Sequence, residues 1–167
     1  MNAAAPAMIN ILPARQADLP AIMILERAGF DVAEQWSERS WLGELLGGDR
    51  KVLIAREHRA LGVISFSVIG ELADLHRLVV APGHRRRGIG TELIRAGLVL
   101  VRGLGARAVI LEVGYDNEPA IALYQRLGFE QLAAREDYYG PGRHALILKL
   151  YDLGSWPHRS STDGVAL

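Results

Sequence analysis

The period of the apolar residues changes abruptly at residue 88, and this change constrains the fold more than any other feature of the chain. Three consecutive segments upstream are rich in apolar and β-branched residues and predict strands: 51–57, 61–70 and 71–82. Downstream, apolar residues recur at three- and four-residue intervals and predict a helix that begins at Gly88. A strand meander therefore leads directly into a helix through the loop "HRRRGIG" at 84–90.

The remaining segments alternate between strand and helix patterns. Four further segments predict strands: 8–15, 107–114, 129–136 and 143–151. Three further segments predict helices, with N-caps at Asp18, Ser37 and Asn117. Trp36 and Trp41 flank the second of these helix starts as a hydrophobic staple. The order predicts an α+β fold with a mixed, mostly antiparallel central sheet of about six to seven strands flanked by about four helices.

The length of 167 residues is that of one domain with its own core. We expect the domain to occupy residues 8–152. The segments 1–7 and 153–167 are expected to be flexible termini, because the end of the chain is polar, contains proline and has no periodic apolar residues.

Charge and cysteine content exclude several classes of function. Nineteen basic residues balance nineteen acidic ones, so no global positive field would draw the protein to nucleic acid or to a membrane. The absence of cysteine excludes thiol catalysis, thiolate metal sites and disulfides. With no secretory signal and no apolar run of membrane-spanning length, we expect a soluble cytoplasmic protein that is a monomer or a weak homo-oligomer.

The arginine-rich loop has two interpretations of about equal weight. A loop between a strand and a helix N-terminus exposes backbone N–H groups, and the helix dipole favours an anion there. Gly88 and Gly90 would let the backbone approach a phosphate, with charge from Arg85, Arg86 and Arg87. A solvated basic loop explains the same residues, since a short glycine motif is weakly specific.

Two motifs resemble those of the GCN5-related N-acetyltransferases. Arg85, Gly88 and Gly90 occupy the fixed places of R-x-x-G-x-G, and "NEPAIALYQRLGF" at 117–129 is similar to the family's second signature. Over residues 8–151 the chain is most similar to the ribosomal-protein-alanine N-acetyltransferase (RimI) group. The resemblance implies the fold of this family, acetyl-CoA as co-substrate and no metal.

The resemblance also implies where acetyl-CoA binds. The backbone of a bulged strand, splayed from the next one, would polarise the thioester carbonyl and pair with pantetheine, through Leu78, Val79 and Val80. The loop and helix start would hold the pyrophosphate through Arg85, Arg86, Arg87, Gly88, Ile89, Gly90 and Thr91. Asn117 would cap its helix and reach the pantetheine arm.

Acetyl transfer to an amine needs a proton acceptor and a proton donor. Glu112 is the candidate base, because it lies near the end of a buried strand where its neighbours should point to the other face; the alternative is a surface glutamate. Tyr124 is the candidate acid, and the alternative is a core tyrosine. The resemblance implies that Tyr138 and Tyr139 line the acceptor peptide; the alternative is a pair of exposed tyrosines that only pack in a turn. His76 is a further candidate for the proton relay.

The resemblance implies an acetyltransferase acting on the N-terminal alanine of a small-subunit ribosomal protein. Three alternatives remain: an acetyltransferase with broader N-terminal, lysine or small-amine substrates, a non-catalytic acyl-CoA-binding domain, and a nucleic-acid-binding module that uses "HRRR". The last has neither net positive charge nor interleaved aromatic residues in its favour.

Overall fold

The computed structural model describes residues 8–85 and 87–157, and the predicted α+β fold is confirmed. The described residues form a seven-stranded sheet. Its strands are β1 Asn10–Pro13, β2 Arg50–Arg56, β3 Ala60–Ile69, β4 Leu72–Val80, β5 Ala108–Gly114, β6 Glu130–Arg135 and β7 Ala145–Leu150. The helices are α1 Leu19–Gly29, α2 Glu38–Leu46, α3 Ile89–Gly103 and α4 Glu118–Arg126.

The sheet is mixed and covered on both faces. The strand order is β1-β2-β3-β4-β5-β7-β6, with a parallel pairing between β4 and β5 and antiparallel pairings elsewhere. Leu93 and Leu98 of α3 belong to one buried apolar cluster, and Ile22 of α1 and Trp41 of α2 belong to another. The first cluster lies on the face of α3 and α4, and the second on the face of α1 and α2.

Local capping explains where two of the helices begin. The Ser37 hydroxyl accepts a hydrogen bond from the Ser40 N–H at 3.1 Å, and the rings of Trp36 and Trp41 lie 5.3 Å apart, so the predicted cap and staple are confirmed. Asn117 caps α4 by accepting from the Ala120 N–H at 3.3 Å. Asp18 precedes α1 but makes no side-chain cap.

Strand β4 contains a bulge at His76. Ser65 of β3 pairs with Arg77 and the next residue, Phe66, pairs with Leu75, so His76 has no partner in that ladder. A bulge changes which face the following side chains occupy. Leu75 accordingly lies in the cluster beside α3, whereas Val79, four residues later, lies in the cluster beside α1 and α2.

The strands β4 and β5 separate beyond the bulge. Their parallel register runs from Leu72 opposite Ala108 to Leu75 opposite Leu111 and ends there. Beyond this point β4 continues to Val80 while pairing with β3 alone. The two strands therefore form a fork that opens toward the end of β4 and the start of α3.

The core extends further along the chain than the predicted boundary at residue 152. Leu153 is fully buried and Trp156 nearly so, both in the cluster beside α3, and the Trp156 indole donates to the Leu127 carbonyl at 3.0 Å. Segment 153–157 is therefore part of the packed domain, because two large apolar side chains bury there. Residues 1–7 and 158–167 lie outside the described residues. Across the described part of the chain, no helix has the length and apolar character needed to cross a membrane.

Candidate active site

The start of α3 presents backbone donors at the mouth of the fork. Gly88 precedes the helix with a φ of +77°, a conformation in which residues other than glycine are strained. Among the described residues, the Glu92 N–H is the first to bond back along the chain, to the Gly88 carbonyl at 3.0 Å. The N–H groups of Ile89, Gly90 and Thr91 lie in the first turn of α3, where a helix supplies no partner of its own. This is the arrangement that binds phosphate oxygens.

Basic side chains surround this helix start. The Arg87 guanidinium lies 2.8 Å from Nδ1 of His84, and Arg59, from the turn between β2 and β3, lies 3.0 Å from Nε2 of the same ring. Arg87 has a carboxylate partner in Glu57 at 3.6 Å. The predicted contact Arg86 lies outside the described residues. The loop thus combines free N–H groups with a local excess of positive charge.

The predicted thioester-contacting residues lie on the β4 side of the fork. Val79 is buried, while Leu78 and Val80 are half-buried, so their side chains belong to the two core clusters. Their backbone pairs with β3 on one side, and the ladder with β5 has already ended on the other. The bulge and the splayed strands that the family resemblance implies are both present.

Glu112 lies on β5 one residue beyond the end of that ladder. Leu111 and Val113 are buried beside α3, so Glu112 points to the opposite face, as its position in the strand predicts. Its carboxylate lies 3.3 Å from the Arg135 guanidinium of β6, and its side chain is 35% exposed. A carboxylate in this place is within reach of both solvent and the fork.

Tyr124 lies on α4 and is buried, with its ring edge-on to Phe129 at 5.7 Å. Burial raises the pKa of Tyr124 above its ordinary value, because the phenolate would be poorly solvated. The phenol therefore keeps its proton at neutral pH. This protonation state suits a proton donor, and it suits a core tyrosine equally.

Tyr138 and Tyr139 lie in the loop between β6 and β7 with rings 5.0 Å apart in an edge-to-face contact. Glu112, as hydrogen-bond acceptor and as a charge, raises the pKa of Tyr138, while burial and then Glu112 raise the pKa of Tyr139. Arg135 stacks 5.3 Å over the Tyr138 ring. The aromatic pair is therefore electrostatically coupled to the candidate base.

The loop that carries the tyrosines contacts the connection between α1 and α2. Arg143 forms an ion pair with Glu34, and its guanidinium also donates to the Tyr139 carbonyl at 3.4 Å. Arg77 of β4 donates to the Glu34 carbonyl at 2.8 Å and stacks on Phe30 at 3.5 Å. The two loops form a rim around the Glu112 side of the sheet.

Arg77 is held by the buried carboxylate of Glu26. Glu26 is fully buried on α1 and accepts from the Trp36 N–H at 2.8 Å and from the Trp41 indole at 3.1 Å, besides forming an ion pair with Arg77. A buried carboxylate is stable only with such a complete set of donors. This cluster links β4, α1 and the start of α2.

His76, the residue at the bulge, lies in a second buried polar cluster. Its Nδ1 is 3.1 Å from the Glu44 carboxylate of α2 and its Nε2 is 3.0 Å from the Ser67 hydroxyl. The Ser65 hydroxyl also donates to Glu44, and Arg50 lies 3.4 Å from it. Both ring nitrogens of His76 are thus engaged by groups outside the fork.

Sequence reasoning missed several of these residues. Arg135 and Glu34 carry no motif and are brought to the site by the β7-β6 pairing and by the loop contact. A further carboxylate on β4, the half-buried Asp74, did leave a signal, since it is an acidic residue inside the apolar segment "LADLHRL". An unexplained charge within a strand pattern marks a candidate functional position.

A cavity elsewhere in the described residues does not include the predicted site residues. A cavity of about 770 Å³ opens at the start of β4 and β5, the end of the sheet away from the fork, and Glu71, Arg102, Arg107 and Asp152 are among its lining residues. None of the predicted site residues lines it. Among the described side chains there is also no group of histidines and carboxylates that could hold a metal ion.

Comparison with known proteins agrees with this geometry. Residues 15–129 match the acetyltransferase (GNAT) family. A ribosomal protein bS18-alanine N-acetyltransferase of Salmonella typhimurium is 34% identical over 125 residues, covering 73% of this chain and 81% of that protein. A longer Mycobacterium leprae protein is 33% identical over 139 residues, and the match covers 80% of this chain and 38% of that relative.

The fold is likewise that of a solved relative. The crystal structure of the ribosomal-protein-S18-alanine N-acetyltransferase from Escherichia coli matches with a TM-score of 0.80 at 24% identity, over 96% of this chain and 100% of that one. The forked sheet, the start of α3 with its backbone donors for phosphate, and the family match over most of the chain all indicate the same family. The chain belongs to the acetyltransferase (GNAT) family and is an N-acetyltransferase.

Proposed function

We propose that this protein transfers the acetyl group of acetyl-CoA to the α-amine of an N-terminal alanine, in a small-subunit ribosomal protein, by direct attack in a ternary complex. The observation that carries the proposal is the fork between β4 and β5. Glu112 lies just beyond the last β4–β5 pair, on the face of the sheet where the rim loops lie. The first N–H groups of α3 lie at the open end of the fork. The acceptor identity is supported by the activity named for the Salmonella relative.

The residues of the fork fit acetyl-CoA. The N–H groups of Ile89, Gly90 and Thr91, with Arg85 and Arg87 beside them, would hold the pyrophosphate. The unpaired edge of β4 at Leu78–Val80 would bind pantetheine and direct an N–H to the thioester carbonyl. The rim loops would hold the acceptor peptide with Tyr138 and Tyr139 in contact.

The proton transfers follow from the chemistry of the acceptor. An α-amine has a pKa of about 7.7 to 8, so at neutral pH much of it is ammonium and cannot attack. Glu112 would remove one proton, directly or through water. As the new C–N bond forms and the C–S bond breaks, Tyr124 would donate its proton to the departing thiolate. The attacking nitrogen loses its second proton as it becomes an amide, and that proton restores the Tyr124 phenol.

The decisive experiment follows thiol release from acetyl-CoA with an alanine-starting peptide as acceptor. We expect turnover by the wild type and losses of about 100-fold or more in kcat for Glu112→Gln and Tyr124→Phe, with coenzyme A binding retained. A lysine peptide with a blocked N-terminus and a polyamine are the competing acceptors. Faster turnover of either competitor by the wild type would replace the N-terminal alanine with that substrate class.

A further inference from the structure

Asp74 is a half-buried carboxylate at the base of the fork. It pairs in register with Ile110, one position before the ladder between β4 and β5 ends. Its neighbours Ala73 and Leu75 lie in the cluster beside α3, so Asp74 points to the opposite face, the one that Glu112 occupies. Glu112 is two residues beyond Ile110 on the neighbouring parallel strand, which puts its Cα about 8 Å from that of Asp74. The two carboxyl groups therefore face the same space.

The Asp74 carboxyl group has no basic side chain in contact with it among the described residues, unlike the nearby carboxylates Glu112 and Glu44. Among the described residues, no hydrogen bond or ion pair is made by this side chain, whereas Glu112 lies 3.3 Å from Arg135 and Glu44 lies 3.4 Å from Arg50. His76 is nearby, but its two nitrogens are engaged by Glu44 and Ser67. Burial first, and then the charges of Glu112 and Glu44, raise the pKa of Asp74 despite the charges of His76 and Arg50.

An uncompensated carboxylate costs stability unless a ligand supplies the missing charge. In the proposed reaction the acceptor would reach this face, where the rim loops and Glu112 lie, and much of it would be ammonium at neutral pH. An ammonium has three N–H donors, which is enough for two carboxylates at once. Glu112 already lies 3.3 Å from the Arg135 guanidinium, so a bound ammonium would be stabilised more by the Asp74 carboxylate.

We propose that Asp74 binds the protonated amine of the acceptor and holds it between itself and Glu112 until Glu112 removes the proton. Asp74 is thus a specificity residue that selects charged primary amines, and it contributes to acceptor affinity more than to the chemical step. This inference rests on the proposed acetyl transfer but holds for any ammonium acceptor.

The test compares wild type and Asp74→Asn in steady-state acetylation and in binding. For the variant we expect a KM for the alanine-starting peptide at least about tenfold higher, with kcat changed much less, because one charge-assisted contact is lost. Binding is measured with coenzyme A present, using the same peptide and a twin whose α-amine is replaced by a methyl group. Wild type should prefer the amine peptide, and Asp74→Asn should lose most of that preference.

Stability separates this role from a structural one. Asp74→Asn should unfold at the same or a higher urea concentration than wild type, because the charges of His76 and Arg50 compensate the buried carboxylate only in part. Glu71→Gln, which removes an exposed carboxylate paired only with Arg107, is the matched control and should leave KM unchanged. An unchanged KM and amine preference in Asp74→Asn would overturn the inference, as would a large loss of stability.

Failure of the proposed function can be distinguished from failure of the Asp74 inference. If wild type acetylates a lysine peptide or a polyamine in place of the N-terminal peptide, the proposed acceptor is wrong and the Asp74 comparison is made with that amine. If wild type acetylates none of them, both proposals fail.

Discussion

Arg143 of the β6–β7 loop forms an ion pair with Glu34 of the α1–α2 connection, and this contact closes the rim on the Glu112 side of the sheet. Both side chains are about half exposed, at 50% and 44%, and they are 109 residues apart in sequence. The pair joins two loops that the sheet itself does not connect. We therefore expect the Arg143–Glu34 pair to affect the position of the two loops more than the stability of the fold.

Replacing Arg143 with Gln should weaken acceptor binding while stability is kept. Exposed ion pairs contribute about 0 to 1 kcal/mol, so the urea midpoint should barely move. The peptide KM should rise several-fold, since the Tyr138–Tyr139 loop loses its contact with Glu34. Arg107→Gln, which breaks the exposed pair with Glu71 away from the fork, is the control and should leave KM as in wild type. An equal KM for both variants would show that the pair does not position the loop.

Replacing Glu26 with Leu should strongly destabilise the fold. The substitution leaves the Arg77 charge and the Trp41 indole without their buried acceptor, and breaking a buried pair in this way costs about 3 to 5 kcal/mol. Trp41→Phe removes one donor and should cost less. Urea unfolding followed by far-UV circular dichroism measures both, and a cost for Glu26→Leu below that of Trp41→Phe would contradict this account.

Gly97 in the interior of α3 should not tolerate a methyl group. A Cβ there would lie 2.2 Å from Cε2 of Phe66 in the core, so Gly97→Ala should cost about 1 to 3 kcal/mol despite the better helix propensity of alanine. Gly43 of α2 is exposed and a Cβ there meets nothing within 4 Å. Gly43→Ala should therefore stabilise the protein by about 0.5 to 1 kcal/mol. Thermal unfolding of the two variants should show shifts of opposite sign.

Glu44 should make stability depend on acid pH. Burial alone would raise the pKa of Glu44, but hydrogen bonds from His76 and Ser65, with the charges of His76 and Arg50, hold it below its ordinary value of 4.5. A lowered carboxyl pKa adds stability that is fully present above 4.5 and is lost as pH falls through the lower folded-state value. Glu44→Gln should therefore cost more at pH near 7 than in acid. Urea midpoints measured across the acid range check this, and a constant difference between the two proteins would contradict it.

The local patterns of the sequence were enough for the elements and for part of the site. Ser37, Asn117 and the glycine at 88 act within one turn of their own positions, so their roles depend on neighbours in the chain. The burial of Leu111 and Val113 around Glu112 likewise follows from the alternation within a strand. The same reasoning failed for the segment after residue 152, because no periodic pattern marks two isolated core residues such as Leu153 and Trp156.

The sequence by itself determined the helices and strands, the start of α3 at Gly88 and the family motifs. All of these depend on residues that are close together in the chain. Only the tertiary structure decided the partners of Glu112, the contact of Arg143 with Glu34 and the isolation of Asp74. The physical reason is the bulge at His76, which reverses the faces of β4, together with the end of its ladder with β5. The bulge and the end of the ladder both result from packing between segments that are distant in the sequence. The alternation of apolar and polar residues within one strand does not predict them.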